Sequence, residues 1–254
     1  MKPTPWLRCL KPNPQAQLRL FCFHHAGGGA VTYNAWPAQL PHLEVCAVQL
    51  PGRETRIRET PFTRMEPLVQ TLITALHPYL DKPFAFFGHS MGSLVAYELA
   101  QALQKHYQLS PVHLFASGRR APQLPDPHPP IHMLPEEAFW AAIQQRYGGI
   151  PALVFQDEEL KALFTPLLRA DFTLVETYQP STTQPLACPL TAFGGDADHY
   201  ATRAELMAWR ALTQQAFALH LFPGGHFYLN DQRSLLLTEI AALLKITSPT
   251  STRA

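Results

Sequence analysis

The sequence has few charged residues and almost no net charge. Lys, Arg, Asp and Glu together make up 15% of its 254 residues, and the formal net charge is +1. A protein that held nucleic acid or an anionic membrane surface would need a strong basic field. We therefore expect neither nucleic acid nor a membrane among its partners.

Long apolar runs and a cysteine framework are also lacking. No apolar stretch approaches the roughly 20 residues that cross a bilayer, and the first residues lack the apolar core of a secretory signal. The four cysteines, Cys9, Cys22, Cys46 and Cys188, show no CxxC spacing and mostly stand in apolar runs. We expect reduced, buried thiols in a cytoplasmic protein, without a disulfide framework or a metal site.

Apolar residues are abundant and make up 46% of the sequence. This is enough for one large core, and we expect a single domain over residues 1–254. Short apolar runs alternate with amphipathic stretches. The predicted strands are 18–23, 45–50, 84–87, 112–116, 190–193 and 218–222, and the predicted helices are 65–80, 91–106, 203–216 and 232–244. This alternation predicts an α/β fold with a mostly parallel central sheet flanked by helices.

One interval breaks the alternation. Between the fourth and fifth predicted strands the pattern is helical, over 135–146 and 157–178, after a proline-rich segment at 122–130. We favour a lid insertion, about 122–185, over one end of the sheet, against the alternative of ordinary helices packed on a sheet face. The tail, about 247–254, is expected to be disordered.

A glycine-rich pentapeptide carries the first candidate site residue. Gly88-His89-Ser90-Met91-Gly92 matches G-x-S-x-G and stands between a predicted buried strand and a predicted helix. A serine on so sharp a turn projects from the sheet, and the helix N-terminus presents free amides to a developing negative charge. We expect Ser90 to be a nucleophile and the Met91 amide to stabilise an oxyanion. The alternative is a strand-to-helix turn without a catalytic role.

A serine nucleophile needs a base and an acid, which follow in the order Ser, Asp or Glu, His in proteins with this elbow. His226 follows two glycines after the last predicted strand and is the candidate base; the alternative is a surface loop histidine. Asp198 and Asp196 follow the previous strand. We favour Asp198 as the acid and assign Asp196 to shaping the turn. Asp157 and Asp171 are expected to be surface or helix-cap residues.

The second oxyanion donor is expected from the loop after the first predicted strand. Residues 23–29 read Phe-His-His-Ala-Gly-Gly-Gly, and their small side chains allow backbone to approach a substrate closely. We expect the Ala26 amide to donate there. His24 and His25 stand together, but two adjacent histidines without a third ligand are weak evidence for a metal.

These segments resemble the type II thioesterases that accompany nonribosomal peptide and polyketide synthases. The similar segments are 23–28, 49–54, 88–92, 117–122, 168–172 and 224–227. The Pro-Gly-Arg-Glu and Ser-Gly-Arg-Arg-Ala-Pro stretches are more specific than the elbow. The resemblance implies the α/β-hydrolase fold, with Ser90, Asp198 and His226 as a catalytic triad. The sequence departs from the family at His24 and His199, where proline is usual.

The resemblance also implies an activity. It predicts hydrolysis of acyl groups from the phosphopantetheine arm of carrier proteins, by a monomer without cofactor, largely to clear misloaded or stalled synthases. Arg53, Arg119 and Arg120 either contact the arm's phosphate or an acidic carrier surface, or brace loops, which we favour. The competing functions are a carboxylesterase or lipase with the same triad, an acyltransferase, and a non-catalytic carrier-binding module.

Overall fold

The computed structural model describes residues 4–148, 152–182 and 184–245, and within them the strands form one sheet. The strands are β1 (Leu7–Arg8), β2 (Arg19–Phe23), β3 (Glu44–Val48), β4 (Phe84–His89), β5 (His113–Ser117), β6 (Leu190–Gly195) and β7 (Phe217–Phe222). Their spatial order is β1-β3-β2-β4-β5-β6-β7. β1 pairs antiparallel with β3, and the other neighbours are parallel.

Helices connect the parallel strands. They are α1 (Trp36–Gln39), α2 (Met65–Leu76), α3 (Met91–Tyr107), α4 (Glu136–Arg146), α5 (Ala152–Gln156), α6 (Glu158–Glu176), α7 (Arg203–Met207), α8 (Tyr228–Asp231) and α9 (Arg233–Leu243). None of the helices in the described ranges combines the length and apolarity needed to cross a bilayer.

The sheet is buried on both faces because its strands are apolar at consecutive positions. In β4, Phe84 and Phe86 pack with α2 and α3 on one face, while Ala85 and Phe87 pack with α1 and α9 on the other. Successive side chains of a strand point to opposite faces, so an unbroken apolar run suits a sheet covered on both sides. Full burial of each phenylalanine stabilises the fold by roughly 1.5–3 kcal/mol.

The α/β class and the mostly parallel sheet are confirmed, and every predicted strand is present with shifted ends. The helix predicted over 65–80 ends at Leu76, where a short 3-10 turn containing Pro78 follows. The helix predicted over 203–216 is shorter than expected, because the chain tightens into 3-10 geometry at Ala208–Leu212. β1 was not predicted, since two residues carry no periodicity.

The expectation of four reduced cysteines is wrong for one pair. Cys9 and Cys46 form a disulfide, with their Cα atoms 4.4 Å apart. The antiparallel register pairs Arg8 with Ala47, so the next residue, Cys9, stands opposite Cys46. Cys22 and Cys188 are free and buried, as expected. Burial raises the pKa of the Cys188 thiol to about 12.

The interval between β5 and β6 contains α4, α5 and α6 and has an apolar cluster of its own. Its buried members are Ile131, Phe139, Trp140, Ile143, Leu168 and Phe172. This cluster is separate from those on the two sheet faces, and the partly buried Ala26 packs against it. The helical segment therefore contacts the loop after β2. The predicted disordered tail, 247–254, lies outside the described residues.

Candidate active site

Ser90 occupies a strained turn between β4 and α3. Its backbone has φ +54° and ψ −114°, a conformation that is costly for a residue with a side chain. A Cβ atom at Gly88 would lie 2.1 Å from the Gly92 carbonyl oxygen, and one at Gly92 would lie 2.1 Å from that of Phe23. Only glycine fits at both positions, which explains the G-x-S-x-G pattern physically.

The turn is held by hydrogen bonds from β5. The Ser90 amide donates to the Ser117 carbonyl at 2.8 Å. The Ser93 hydroxyl lies 2.8 Å from the Gly88 carbonyl oxygen and 2.9 Å from that of Ser117, and it accepts the Ser117 amide at 3.0 Å. Ser93 is thus a positioning residue that the sequence did not indicate, because a serine in the first turn of a helix has no distinguishing pattern.

Asp198 and His226 meet beside this turn. His226 Nδ1 lies 2.8 Å from Asp198 Oδ2, and both side chains are buried. An ionised carboxylate can only accept, so Nδ1 carries the proton and Nε2 is left as the acceptor. The other carboxylate oxygen of Asp198 accepts the Tyr200 amide at 2.9 Å. The imidazole is therefore fixed in the tautomer that a base needs.

Asp196 has a different task. Its carboxylate accepts the Gly224 amide at 3.0 Å, and its own amide donates to the Phe222 carbonyl at 2.9 Å. A Cβ atom at Gly195 would lie 2.3 Å from the carbonyl oxygens of Gly224 and Gly225. Asp196 thus joins the loop after β6 to the loop after β7, which places the histidine.

Hydrogen bonds to Asp171 of α6 and to Arg53, which follows β3, hold the loop after β2 in place. The Gly27 amide donates to Asp171 Oδ2 at 2.8 Å, and two guanidinium nitrogens of Arg53 donate to the two Asp171 oxygens at 2.9 Å each. Arg53 also donates to the Gly28 carbonyl at 3.1 Å. Arg53 braces a loop, as favoured from the sequence.

The expectation for Asp171 is wrong, whereas that for Asp157 is confirmed. Asp171 is 1% exposed and ion-paired, because its carboxylate contacts Arg53 and the Gly27 amide in the loops after β3 and β2. Asp157 is the N-cap of α6 and accepts the amides of Glu159 and Leu160. Arg53 and Asp171 are 118 residues apart in the chain and are brought together by this ion pair.

Two further histidines surround His226 in neutral form. Burial, followed by the charges of His226 and Arg53, lowers the pKa of His25 to about 4. Burial and the His226 charge also lower the pKa of His89, whose Nδ1 lies 2.8 Å from the Ser117 hydroxyl. Residues 4–148, 152–182 and 184–245 hold no His, Cys, Asp or Glu cluster suited to a metal. Because their pKa values are lowered, the rings of His25 and His89 add no positive charge to the site near neutral pH.

Ser90 and His226 open onto one cavity of about 300 Å³. Ala26 lines the same cavity from the loop after β2, with Gly27 beside it. Met91, whose amide begins α3, is buried next to Ser90. The apolar wall comes mainly from the helical segment between β5 and β6, through Trp140, Ile143, Val154, Phe164, Leu168 and Phe172. An extended apolar group would be buried there.

A serine presented at a strand-to-helix turn, with His and Asp after later strands of a parallel sheet, is the arrangement of an α/β-hydrolase. A sequence model of the thioesterase domain family matches residues 18–244. The chain therefore belongs to the thioesterase family, and it is a thioester hydrolase.

Individual proteins that are similar to this chain indicate its subgroup within the thioesterase family. The chain is 40% identical to the gramicidin S biosynthesis protein GrsT of Aneurinibacillus migulanus, over 95% of this chain and 94% of that protein. It is 43% identical to the linear gramicidin dehydrogenase LgrE of Brevibacillus parabrevis, over 96% and 94%. The solved type II thioesterase BorB from the borrelidin biosynthetic cluster is 36% identical, covers 96% of this chain and 99% of its own, and superimposes with a TM-score of 0.87. The resemblance to type II thioesterases and the α/β-hydrolase fold are confirmed.

Proposed function

We propose that this chain hydrolyses acyl thioesters on the phosphopantetheine arm of carrier proteins in nonribosomal peptide or polyketide synthesis. One observation carries the proposal. His226 is oriented by a 2.8 Å hydrogen bond to Asp198 and lines the same apolar cavity as Ser90, in a chain of the thioesterase family. The relatives named for peptide antibiotic and borrelidin biosynthesis support the choice of carrier-bound substrate.

The proposed mechanism uses two steps. His226 Nε2 takes the Ser90 hydroxyl proton as the oxygen attacks the thioester carbonyl, and Asp198 stabilises the imidazolium. The amides of Ala26 and Met91 stabilise the oxyanion. The C–S bond then breaks, the departing thiolate, a good leaving group because the pKa of a thiol is near 8.5, takes the proton from the His226 imidazolium, and the acyl group remains on Ser90. Water attacks this acyl-enzyme while the neutral His226 takes its proton, and that proton passes to the Ser90 oxygen as the acid leaves. No cofactor is needed for either step.

The helical segment, about 122–185, acts in this proposal as a lid that shapes the acyl chamber. Its apolar side chains form most of the chamber wall, and Asp171 fixes α6 to the loop after β2. The protein would work as a cytoplasmic monomer beside the synthase and remove misloaded or stalled acyl groups.

The name of LgrE would suggest oxidoreduction instead. A dinucleotide-binding loop has the pattern G-x-G-x-x-G or G-x-G-x-x-A, because the last position packs helix against strand. In this chain the loop after β2 runs Gly27-Gly28-Gly29-Ala30-Val31-Thr32, with threonine at that position. The loop therefore departs from that pattern, and the match to the thioesterase domain family supports hydrolysis.

Replacement of the nucleophile tests the proposal. We expect Ser90→Ala to abolish hydrolysis of octanoyl-carrier protein and labelling by a fluorophosphonate, with the melting temperature retained. Ser110→Ala, on a loop outside the cavity, is the matched control and should keep both activities. A folded Ser90→Ala protein that retained most of its turnover would contradict the proposal.

The competing functions are separated by substrate and product. A higher kcat/KM for a matched oxoester than for the carrier thioester would favour a carboxylesterase. Transfer of the acyl group to an added alcohol or amine in preference to water would favour an acyltransferase.

A further inference from the structure

The structure separates the three motif arginines by their partners. Arg53 is neutralised by Asp171, with two contacts of 2.9 Å. Arg120 lies 3.2 Å from an Asp126 oxygen and 3.3 Å from a Glu205 oxygen. Two of the three arginines thus have close carboxylate partners within the fold.

Arg119 differs from both. Its nearest carboxylate contact is with Asp126 at 3.9 Å, beyond hydrogen-bond distance, and its side chain is only 11% exposed. Its Nε atom is buried and has no hydrogen-bond partner in the described part of the chain. The Nε of Arg120 is likewise unpartnered, but the charge of Arg120 is met by two carboxylates.

Arg119 is also placed on the acyl chamber. It lines the same cavity as Ser90 and, together with Val175, separates that cavity from a neighbouring one of about 460 Å³. Its backbone is fixed, because Trp209 Nε1 donates to the Arg119 carbonyl at 2.7 Å and Gly118 before it has φ +60°. The anchored backbone holds the guanidinium at the chamber wall.

A buried guanidinium with an unpaired N–H is costly, because it has lost water without gaining an acceptor. Burial lowers the pKa of Arg119, yet an arginine keeps its proton in proteins, so it remains a donor of up to five N–H groups. Much of the remaining wall is apolar, built from side chains such as Trp140, Leu168 and Phe172. The buried Nε is closed to a ligand, but the terminal guanidinium nitrogens also make no hydrogen bond within the described residues, and the side chain keeps 11% of its surface exposed. An oxygen acceptor on a ligand in the chamber would be their partner.

We propose that Arg119 is a substrate-binding residue that donates to an acceptor oxygen of the bound thioester. The oxygen belongs either to the acyl group, as in a 3-oxo or 3-hydroxy chain, or to the phosphate of the carrier's arm. The inference rests on the proposed function and adds a substrate feature to it: thioesters that place an acceptor oxygen at Arg119 are preferred over thioesters that do not.

The test compares four substrates with wild type, Arg119→Met and Arg119→Lys. They are octanoyl and 3-oxooctanoyl thioesters, each on N-acetylcysteamine, which lacks the phosphate, and on intact carrier protein. Arg64→Met, at an exposed arginine with a 73% accessible side chain, is the control. A charged hydrogen bond is worth about 10–100-fold in kcat/KM, so Arg119→Met should lose that factor wherever the recognised oxygen is present.

The pattern of losses identifies the oxygen. Loss for 3-oxooctanoyl on both carriers, with octanoyl unchanged, assigns an acyl oxygen. Loss for both acyl groups on carrier protein, with N-acetylcysteamine thioesters unchanged, assigns the phosphate. Unchanged kcat/KM on all four substrates, or an equal loss on all four, overturns the inference.

Two measurements keep these outcomes distinct from misfolding and from failure of the proposed function. The melting temperature of each variant is measured to show that it is folded. If Arg119→Met does not fold, the test uses Arg119→Lys, which keeps the positive charge but loses the planar guanidinium group with its paired donors. Arg119→Lys must then show the same ranking of losses among the four substrates. Wild-type hydrolysis of octanoyl-N-acetylcysteamine tests the proposed activity independently, since that substrate carries neither oxygen.

Discussion

Two aspartates at neighbouring positions of one loop have different tasks. Asp198 contacts the imidazole, and Asp196 contacts a backbone amide of the next loop. In the proposed mechanism only Asp198 stabilises a charge that develops during the reaction. Replacing each aspartate by asparagine therefore shows separately how much activity depends on orienting His226 and how much depends on holding its loop.

We expect Asp198→Asn to lower kcat for an acyl-carrier thioester by about 10⁴-fold, because the amide neither holds the required tautomer nor balances the imidazolium. Asp196→Asn, the matched control, keeps an acceptor oxygen for the Gly224 amide and should retain most of kcat, with about 1 kcal/mol less stability. Steady-state kinetics and denaturant unfolding measure both. A larger loss of kcat at Asp196 would show that the acid is wrongly assigned.

A residue away from the site gives the protein a predictable sensitivity to acid. His113 is buried, stacks on Phe115 and lies 2.9 Å from the Thr191 hydroxyl; burial lowers its pKa to about 4. Unfolded histidine has a pKa near 6.5, so the unfolded state binds a proton first as pH falls. The contribution of His113 to the free energy of unfolding therefore decreases from pH 6.5 to about 4 and levels off below.

This contribution is on the order of 3 kcal/mol at full extent. His113→Gln does not titrate, so we expect a smaller loss of stability between pH 7.5 and pH 4.5 than in wild type. Above pH 7.5 the difference between the two proteins should be constant, which serves as the internal control. If the free energies of unfolding of wild type and His113→Gln changed in parallel with pH over the whole range, His113 would not be buried in neutral form.

At the scale of elements, the buried carboxylate of Asp171 couples α6 to the loop after β2 through a hydrogen bond and to the loop after β3 through an ion pair. Asp171 on α6 accepts from both Gly27 and Arg53, and the neighbouring Ala26 is the proposed oxyanion donor. The position of that amide therefore depends on α6, although α6 contributes no proposed catalytic group.

We expect Asp171→Asn to lower kcat more than it changes KM, because the loop amide is displaced from the oxyanion more than from the ground-state carbonyl. Leaving Arg53 buried without a charge partner should also cost about 3–5 kcal/mol in stability. Asp157→Asn makes the same substitution at the N-cap of α6, where asparagine caps equally well, and should change neither quantity. A loss confined to KM, or equal losses in both variants, would contradict the coupling.

The sequence predicted the elements that local pattern determines. Apolar runs located the parallel strands, and the glycine spacing located Ser90, because both signals lie within a few residues. It did not predict that Asp171 is buried, since the partner that makes this possible is Arg53, far away in the chain. The sequence favoured Asp198 over Asp196 but carried no information on the 2.8 Å contact between Asp198 and His226, because the two residues are 28 positions apart.

At the scale of the whole molecule, the Cys9–Cys46 disulfide ties the edge strand β1 to β3. A bridge across 37 residues stabilises a fold by about 3–4 kcal/mol through the unfolded chain. We expect Cys9→Ser to lower the melting temperature and to leave kcat/KM unchanged, because β1 is separated from β4 by two strands. Dithiothreitol should lower the melting temperature of wild type but not of Cys9→Ser. Equal melting of wild type with and without the reductant would indicate that the thiols are not joined.

The apolar cluster of the segment between β5 and β6 is separate from the two clusters that hold the sheet. Substitutions at Trp140 or Ile143 therefore reshape the space offered to an acyl chain while the packing beneath Ser90 stays intact. Two hydrophobic units of this kind can diverge at different rates. Substitutions in the segment between β5 and β6 can therefore change which acyl groups the protein accepts, and the residues around Ser90 that perform the chemistry can remain the same.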